Sequence, residues 1–230
     1  MIPPLVGLAV TAHEPLHRVL LDELLTRLES GAISGAKLAA ERLPEFERLS
    51  AMPLQRLVPD RPGSDFIQNL LATVTPQQFV PNLKAPEQGL SLLAGLYLIH
   101  DCLHEGHEMA QRAEQAGATT SAPYWHGIMH RREPDYDNAR YWFRRVGDHP
   151  IFPEIGREIG ELLGEKEFAA RLRFPRVLDR RGHWDAMAFI DLCEWCGTAW
   201  DERSQAAARL QEVEMRLLLE YTCRAAQGAN

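Results

Sequence analysis

Histidine side chains are concentrated in the middle of this 230-residue chain. Six of its nine histidines lie between residues 100 and 149, namely His100, His104, His107, His126, His130 and His149. The densest stretch is YWHGIMHRREPDYDNARYWFRR, residues 124–145, in which histidines stand among arginines, carboxylates and aromatic side chains. Such groups can ligate a metal ion, transfer protons or pair with an anionic ligand. The pattern therefore indicates a candidate site without naming a reaction.

A metal site is the first interpretation of these residues. His126 and His130 are four residues apart, so both can reach one ion from the same face of a helix. Further ligands could come from His104 or His107, together with Asp101 or Glu105. Such a set suits tetrahedral zinc, or iron or manganese with more ligands. The motif HExxH, which would add a general base, is absent from the sequence, and HxxxH alone is a common spacing.

An enzyme that works without a metal is the second interpretation. His126 or His130 could act as a general base, and Glu133 or Asp101 could fix the tautomer of its ring. Four arginines could bind a carboxylate or phosphate of a small-molecule substrate, namely Arg131, Arg132, Arg144 and Arg145.

A purely structural role is the third interpretation. A histidine between packed helices often donates one hydrogen bond and accepts another, which holds the helices in register. Arginines in strings such as RRE and FRR are most often solvated or paired with nearby carboxylates, here Glu133 and Asp135. The aromatic side chains of residues 124–145 would then fill the core. The residues themselves leave these three interpretations open.

The elements that must position these residues are helices. Apolar side chains recur at spacings of three and four, and glycine or proline interrupts the pattern at intervals. The predicted helices cover residues 14–30, 35–49, 64–74, 87–100, 103–116, 123–133, 135–146, 154–164, 183–197 and 202–226. Ser64 and Asp135 are predicted N-caps, and the proline-rich segments 51–63 and 75–86 are predicted loops. No run of alternating strands is evident, so the sequence predicts an all-α fold.

An internal repeat joins some of these helices. Residues 95–113 resemble residues 128–146 when Gly106 is set on Ala139, an offset of 33 residues. This pattern resembles the tetratricopeptide repeat, a helix–turn–helix unit of about 34 residues. Gly127, Ala139 and Phe143 stand at the family's small, small and aromatic packing positions, and residues 182–194 resemble a weaker third unit. The string YWH…HRRE also resembles one in bacterial and fungal proteins without an assigned activity, which implies no function.

The resemblance implies an architecture of stacked antiparallel helix pairs. It predicts a helical-repeat body at 87–230, with residues 202–226 as a long C-terminal capping helix. Residues 1–75 would form an N-terminal helical arm, or the whole chain would be one continuous domain. In such a stack the second helix of one pair lies beside the first helix of the next. The polar face with His104 and His107 could therefore meet the face with His126, His130 and Glu133.

Composition narrows the classes of partner and compartment. The net charge of −7 disfavours a nucleic-acid partner, and no apolar run reaches the roughly 20 residues of a membrane span. The first residues lack the basic start of an export signal, so a cytoplasmic protein with reduced thiols is expected. Cys193 and Cys196 form a CxxC pair within a helical pattern, which favours packing over redox or zinc chemistry.

Two functions follow as expectations. The repeat resemblance favours a scaffold that binds a protein or peptide partner in a concave groove. The alternative is a metal- or small-molecule-binding protein, which could be an enzyme, with the histidine, glutamate and arginine side chains lining a pocket between helix pairs. A homodimer would be favoured if the leucine-rich face of helix 202–226 were exposed.

Overall fold

The computed structural model describes residues 16–30, 54–80, 82–174 and 176–229. Within these ranges the chain forms eleven helices and no strand apart from one antiparallel bridge between Leu178 and Trp184. The helices are α1 (Leu16–Glu29), α2 (Asp65–Ala72), α3 (Pro76–Phe79), α4 (Pro86–Ile99), α5 (Leu103–Gln115), α6 (Ser121–Arg132), α7 (Tyr136–Val146), α8 (Phe152–Gly164), α9 (Lys166–Leu172), α10 (Ala186–Cys196) and α11 (Glu202–Ala226). The all-α prediction is therefore confirmed for the described ranges.

Side-chain caps begin several of these helices. The side chains of Ser64 and Asp135 accept hydrogen bonds from backbone N–H groups at the starts of α2 and α7, as predicted. Asp185 and Asp201 cap α10 and α11 in the same way. Each cap satisfies a backbone donor that has no partner within the helix. The predicted helix over 35–49 lies outside the described residues.

Two helices differ from the prediction. The segment 75–86, predicted as a loop, contains the one-turn helix α3, in which Gln78 accepts from the backbone of Thr75 in a capping box. The helix α9 was not predicted, because its seven residues place only Phe168 and Leu172 in contact with the core. A single turn or two carries too few apolar residues to show a period.

Consecutive helices pack against each other at the centre of the described chain. Helix α4 packs against α5, α6 packs against α7, and α5 packs against α6. Small residues permit the close approach, since a Cβ on Gly106 would lie 2.6 Å from Leu98 and one on Gly127 would lie 2.8 Å from Phe143. These contacts agree with the predicted packing role of Gly127 and Phe143, while a tetratricopeptide-like arrangement of the whole body stays a prediction.

The last helix does not cap one end of a stack, contrary to the prediction. Helix α11 packs against α4, α6, α8, α9 and α10 and therefore runs through the core. Leu210, Leu217 and Leu218 are each at most 1% exposed. The leucine-rich face is thus covered within the chain. A homodimer was predicted only if this face were exposed, and that condition is not met.

The described part of the arm shares the core of the body. Leu20 and Leu24 of α1 belong to the same buried cluster as residues of α4 and α11. The Arg27 guanidinium donates to the carbonyl oxygen of Gln78 at 3.0 Å and lies over the ring of Phe79. The boundary between arm and body stays a prediction. None of the helices described has the length and apolar character needed to cross a membrane.

Candidate metal centre

Three histidines converge between α5 and α6. His107 comes from α5, and His126 and His130 come from α6. One ring nitrogen of each lies within 4.8 Å of one ring nitrogen of each of the others. The ring centroids are 4.6 Å apart for His107 and His126, and 5.0 Å apart for His126 and His130. The predicted meeting of the two histidine-bearing faces therefore occurs for three of the four histidines.

Helix α7 closes the site on one side. The Trp142 ring stacks on His126 with centroids 3.8 Å apart, and the Asn138 amide lies 3.1 Å from Nε2 of His130. The side chains of His126 and His130 are only 3% and 8% exposed, whereas His107 is half-buried. The rings on α6 are therefore held between two helices, and His107 is the member that solvent reaches most easily.

A carboxylate fixes the orientation of His126. Nδ1 of His126 lies 2.8 Å from Oε1 of Glu114, which is on α5 two turns after His107. An ionised carboxylate can only accept, so the ring donates from Nδ1 and its lone pair is on Nε2. Carboxylate–histidine pairs of this kind commonly orient metal ligands.

Burial keeps the histidines on α6 neutral. Desolvation, together with His107 and His130, lowers the pKa of His126 to about 3. Desolvation likewise lowers the pKa of His130, although Asp135 and Glu133 oppose this effect. Neutral imidazole is the form that ligates metals, so no proton must be removed from these rings at neutral pH.

Burial acts in the opposite direction on the carboxylate. Desolvation raises the pKa of Glu114 from 4.5 to about 7, and the nearby Arg145 only partly offsets this effect. In the metal-free protein, the contacts of Glu114 with His126 and Arg145 therefore do not make up for the desolvation of its ionised form. A cation bound beside His126 would stabilise that form.

A cleft of about 480 Å³ opens beside the histidines. Its lining includes His107, Met129 and Glu133 from the neighbourhood of the cluster. The rest of its lining is Pro59, Asp60, Arg61, Pro62, Gln68, Asp101, Cys102, Leu103, His104 and Glu105. Oε2 of Glu133 lies 3.5 Å from Nδ1 of His130, so this carboxylate connects the cleft with the cluster.

Two predicted ligands stand apart from the three histidines. His104 is 79% exposed and pairs with Glu108 on its own helix at 3.5 Å. Asp101 forms an ion pair with Arg132 and accepts from Gln55 at 3.0 Å, with its backbone at φ +62°. Both line the cleft, but neither belongs to the three-histidine cluster.

Two of the four predicted arginines, Arg131 and Arg144, lie outside the cleft. Arg131 is 1% exposed and donates to both carboxylate oxygens of Glu214, which also accepts from Tyr124 and Trp184. Arg131 is therefore a buried structural cation. Arg144 is exposed and does not line the cleft.

The sequence prediction missed Glu214, and the local pattern contains a signal for it. Glu214 lies four residues from both Leu210 and Leu218, which are buried, so it occupies the apolar side of α11. A carboxylate at such a position needs a buried partner. The sequence does not show that this partner is Arg131, which is 83 positions away.

The cysteines favour the packing interpretation. Cys193 and Cys196 are free thiols buried in α10. Burial raises the pKa of Cys193 to about 12 and that of Cys196 to about 11. Because the thiolate is the reactive form, neither group is suited to redox chemistry.

Comparison with known proteins adds no relative. The chain matches no protein-family model, no curated protein and no solved structure. The tetratricopeptide resemblance therefore stays a prediction based on residues 95–146.

Proposed function

We propose that the protein binds a transition-metal ion, zinc in preference to iron or manganese, through His107, His126 and His130. The observation that carries this proposal is the convergence of one nitrogen from each ring within 4.8 Å. If these helices served only as a scaffold, leucine and alanine would be expected at such buried positions, as they are found elsewhere in the core of this chain.

The geometry requires only a small adjustment. Tetrahedral zinc with Zn–N distances of about 2.0–2.1 Å separates its nitrogen ligands by about 3.4 Å. Nitrogens up to 4.8 Å apart must therefore approach by roughly 1.4 Å, which rotation of the imidazole rings about their side-chain bonds can supply. The rings of His126 and His130 are stacked with centroids 5.0 Å apart, so they must turn as well for their lone pairs to meet at one ion.

The donor set favours zinc. Imidazole suits zinc, copper, iron and nickel, whereas manganese prefers carboxylate oxygen. Non-haem iron is commonly held by two histidines and one carboxylate, and the described cluster has three histidines instead. The hydrogen bond from His126 to Glu114 adds the outer partner that zinc-ligating histidines usually have.

A partner-binding scaffold is the second proposal, and exposed aromatic side chains favour it. Tyr141 on α7 and Trp195 on α10 are 50% and 51% exposed, and these two helices pack against each other. Exposed tyrosine and tryptophan are enriched where proteins bind one another. A purified partner whose binding weakens in W195A but not in a variant of exposed Arg157 would support this role.

The metal proposal is tested with tag-free protein, since an affinity tag of histidines would bind metal itself. We expect about one equivalent of zinc in the purified protein, and chelation should lower its melting temperature. Zinc at about 100 times its dissociation constant contributes about 2.7 kcal/mol, or roughly 5–10 °C for a chain of this size.

Two matched variants of α5 separate a site from adventitious binding. His107→Gln removes a proposed ligand, whereas His104→Gln alters an exposed histidine one turn away. We expect His107→Gln to weaken zinc binding more than about tenfold and His104→Gln to leave it unchanged. Equal zinc affinity in the two variants, or no zinc binding by the wild-type protein, would refute the proposal.

A further inference from the structure

We infer that two copies of this chain form a two-fold symmetric dimer through the face around Trp195, where the acidic patch of each protomer meets the basic segment of the other. The acidic patch is Asp137, Asp191 and Glu194, and the basic segment is residues 171–181. This inference rests on the second proposed function, the partner-binding scaffold, and names its partner. It does not depend on the metal site.

The basic segment begins at the end of helix α9 and contrasts with the acidic chain around it. It contains five arginines and one aspartate, so it carries a charge of +4 in a chain whose net charge is −7. All five arginines are exposed, and Arg181 pairs with Asp179 at 3.1 Å. The other four form no ion pair with any residue in the part of the chain described, and they are Arg171, Arg173, Arg176 and Arg180. Their charges are therefore available to carboxylates of a partner.

The acidic patch lies where α7 meets α10. Its three carboxylates share one cation, since Arg140 pairs with Asp191 at 2.8 Å, with Asp137 at 3.5 Å and with Glu194. The three carboxylate side chains are between 51% and 101% exposed. The patch therefore keeps an excess of two negative charges that a partner can reach.

Trp195 lies between the acidic patch and the basic segment. It follows Glu194 directly and is four residues after Asp191, so it shares a face of α10 with Asp191. Its ring is 5.9 Å from that of Phe174, which belongs to the basic segment. The Arg203 guanidinium stacks on the same ring at 3.7 Å from its centroid. Trp195 is thus restrained by two neighbours and is still 51% exposed, so it can anchor an interface at a low cost in side-chain entropy.

This order of charges makes the face complementary to itself. A two-fold axis near Trp195 places the basic segment of one protomer on the acidic patch of the other, and the same contact occurs a second time. The two Trp195 rings would lie near the axis, in the part of an interface where tryptophan is enriched. A nucleic acid or an anionic membrane would meet the carboxylates beside the arginines and be repelled by them. A second copy of the chain therefore fits this face better than a partner of uniform negative charge.

The first test is sedimentation velocity of the full chain without a tag. We expect a reversible dimer whose fraction rises with protein concentration over about 1–100 µM, in the range of weak interfaces. The dimer fraction should fall when NaCl is raised from about 0.05 M to about 0.5 M, because salt screens exposed charges. Trp195→Ala should raise the dissociation constant more than about tenfold, because the central anchor is lost.

Two charge-reversed variants test the pairing of the patches. One carries Arg171→Glu and Arg176→Glu, and the other carries Asp191→Lys and Glu194→Lys. Each alone should be monomeric, since like charges then face each other at both contacts. An equimolar mixture should dimerise, because one contact is native and the other has both signs exchanged. Arg112→Glu is the control, since Arg112 is exposed on α5, which packs chiefly against α4 and α6, and this variant should dimerise as the wild type does.

The outcomes separate this inference from the scaffold proposal. A wild type that is monomeric at every concentration refutes the dimer, while binding of a different partner remains to be judged by its own W195A comparison. A dimer that persists in Trp195→Ala and in both charge-reversed variants refutes this face. Monomeric variants that do not dimerise when mixed refute the pairing of the two patches. Circular dichroism confirms that each variant is folded, and if a charge-reversed variant is not, the salt series and Trp195→Ala decide the question.

Discussion

Glu114 provides the most discriminating prediction, because one substitution should change two properties in opposite directions. Its carboxylate accepts from Nδ1 of His126 at 2.8 Å and is 19% exposed. Glu114→Gln keeps the shape of the side chain and an oxygen that can accept the same hydrogen bond, but removes the charge. We expect metal affinity to fall and the stability of the metal-free protein to rise.

The expected loss of metal affinity follows because Glu114 is the hydrogen-bond partner of His126, a proposed metal ligand. An ionised carboxylate strengthens the basicity of the ring that it orients, and removing such a partner typically costs 10- to 100-fold in metal affinity. The expected loss is therefore about 1.4–2.7 kcal/mol of binding free energy. The three ring ligands remain, so the site should weaken without disappearing.

The gain in stability follows from the raised pKa. The pKa of Glu114 is about 7 in the folded protein against 4.5 in the unfolded chain, chiefly because of desolvation. Above pH 7 the folded state must hold a carboxylate that the unfolded state ionises more easily, so ionisation destabilises the fold by up to about 3 kcal/mol. Well below pH 4.5 both states are protonated and the penalty is absent. The metal-free variant should thus be more stable than the wild type by about 1–3 kcal/mol at pH 8, and by less than about 0.5 kcal/mol at pH 4.5.

Two assays test these expectations on the same preparations. Urea denaturation of the chelator-treated proteins at pH 8 and 4.5 gives the free energies of unfolding, and competition with a chromophoric chelator gives zinc affinity. Glu108→Gln is the matched control, since Glu108 is on the same helix but 59% exposed and paired with His104. Unchanged zinc affinity in Glu114→Gln would refute the role of Glu114 beside a metal. A fall in metal-free stability at pH 8 would refute the desolvation argument.

Two further predictions concern buried groups elsewhere. Glu214→Gln leaves the buried Arg131 without its counter-charge and should lower the free energy of unfolding by about 3–5 kcal/mol in urea denaturation, whereas a loss below about 1 kcal/mol would contradict this account. Burial lowers the pKa of His149 to about 4, so the unfolded chain takes up this proton first as the pH falls from 7. The wild type should therefore lose about 2 kcal/mol more than His149→Gln between pH 7 and pH 5, and equal losses in the two proteins would show that His149 does not titrate in this way.

Helical periodicity predicted part of the candidate site. The spacing of His126 and His130 places them on one face, and the pairing of α5 with α6 brings that face to His107. The same periodicity also placed His104 on the face of His107, yet His104 is solvent-exposed. Spacing determines the direction of a side chain from its helix, whereas the position of the neighbouring helix along the axis depends on packing that spacing does not specify.

The buried arginines mark a second limit of sequence reasoning. Charged strings such as HRRE are usually solvated, because burying a charge is costly without a partner. Here the partners are Asp101 for Arg132, 31 positions away, and Glu214 for Arg131, 83 positions away. Such pairs join residues that are far apart in the sequence, so no local sequence pattern predicts them. The sequence does not reveal the core position of α11 for the same reason. A stripe of leucines predicts that one face of the helix is covered, but it does not predict contact with five helices.

Helix α6 is both polar and buried, which explains why residues 124–145 contain so many histidine, arginine and carboxylate side chains. All twelve residues of α6 are buried, although its sequence includes two histidines and two arginines. The arginines at its C-terminal end form ion pairs with Glu214 and Asp101, which restrain the helix against α11 and against the end of α4. His126 and His130 therefore project from a helix whose rotation and axial position are restrained by charges that would be costly to separate. A metal site needs ligands held near the geometry of the ion by such surrounding contacts. In the proposed metal site, the arginine pairs would therefore restrain the helix that carries two of the three ligands, and the third, His107, would come from the more accessible helix α5.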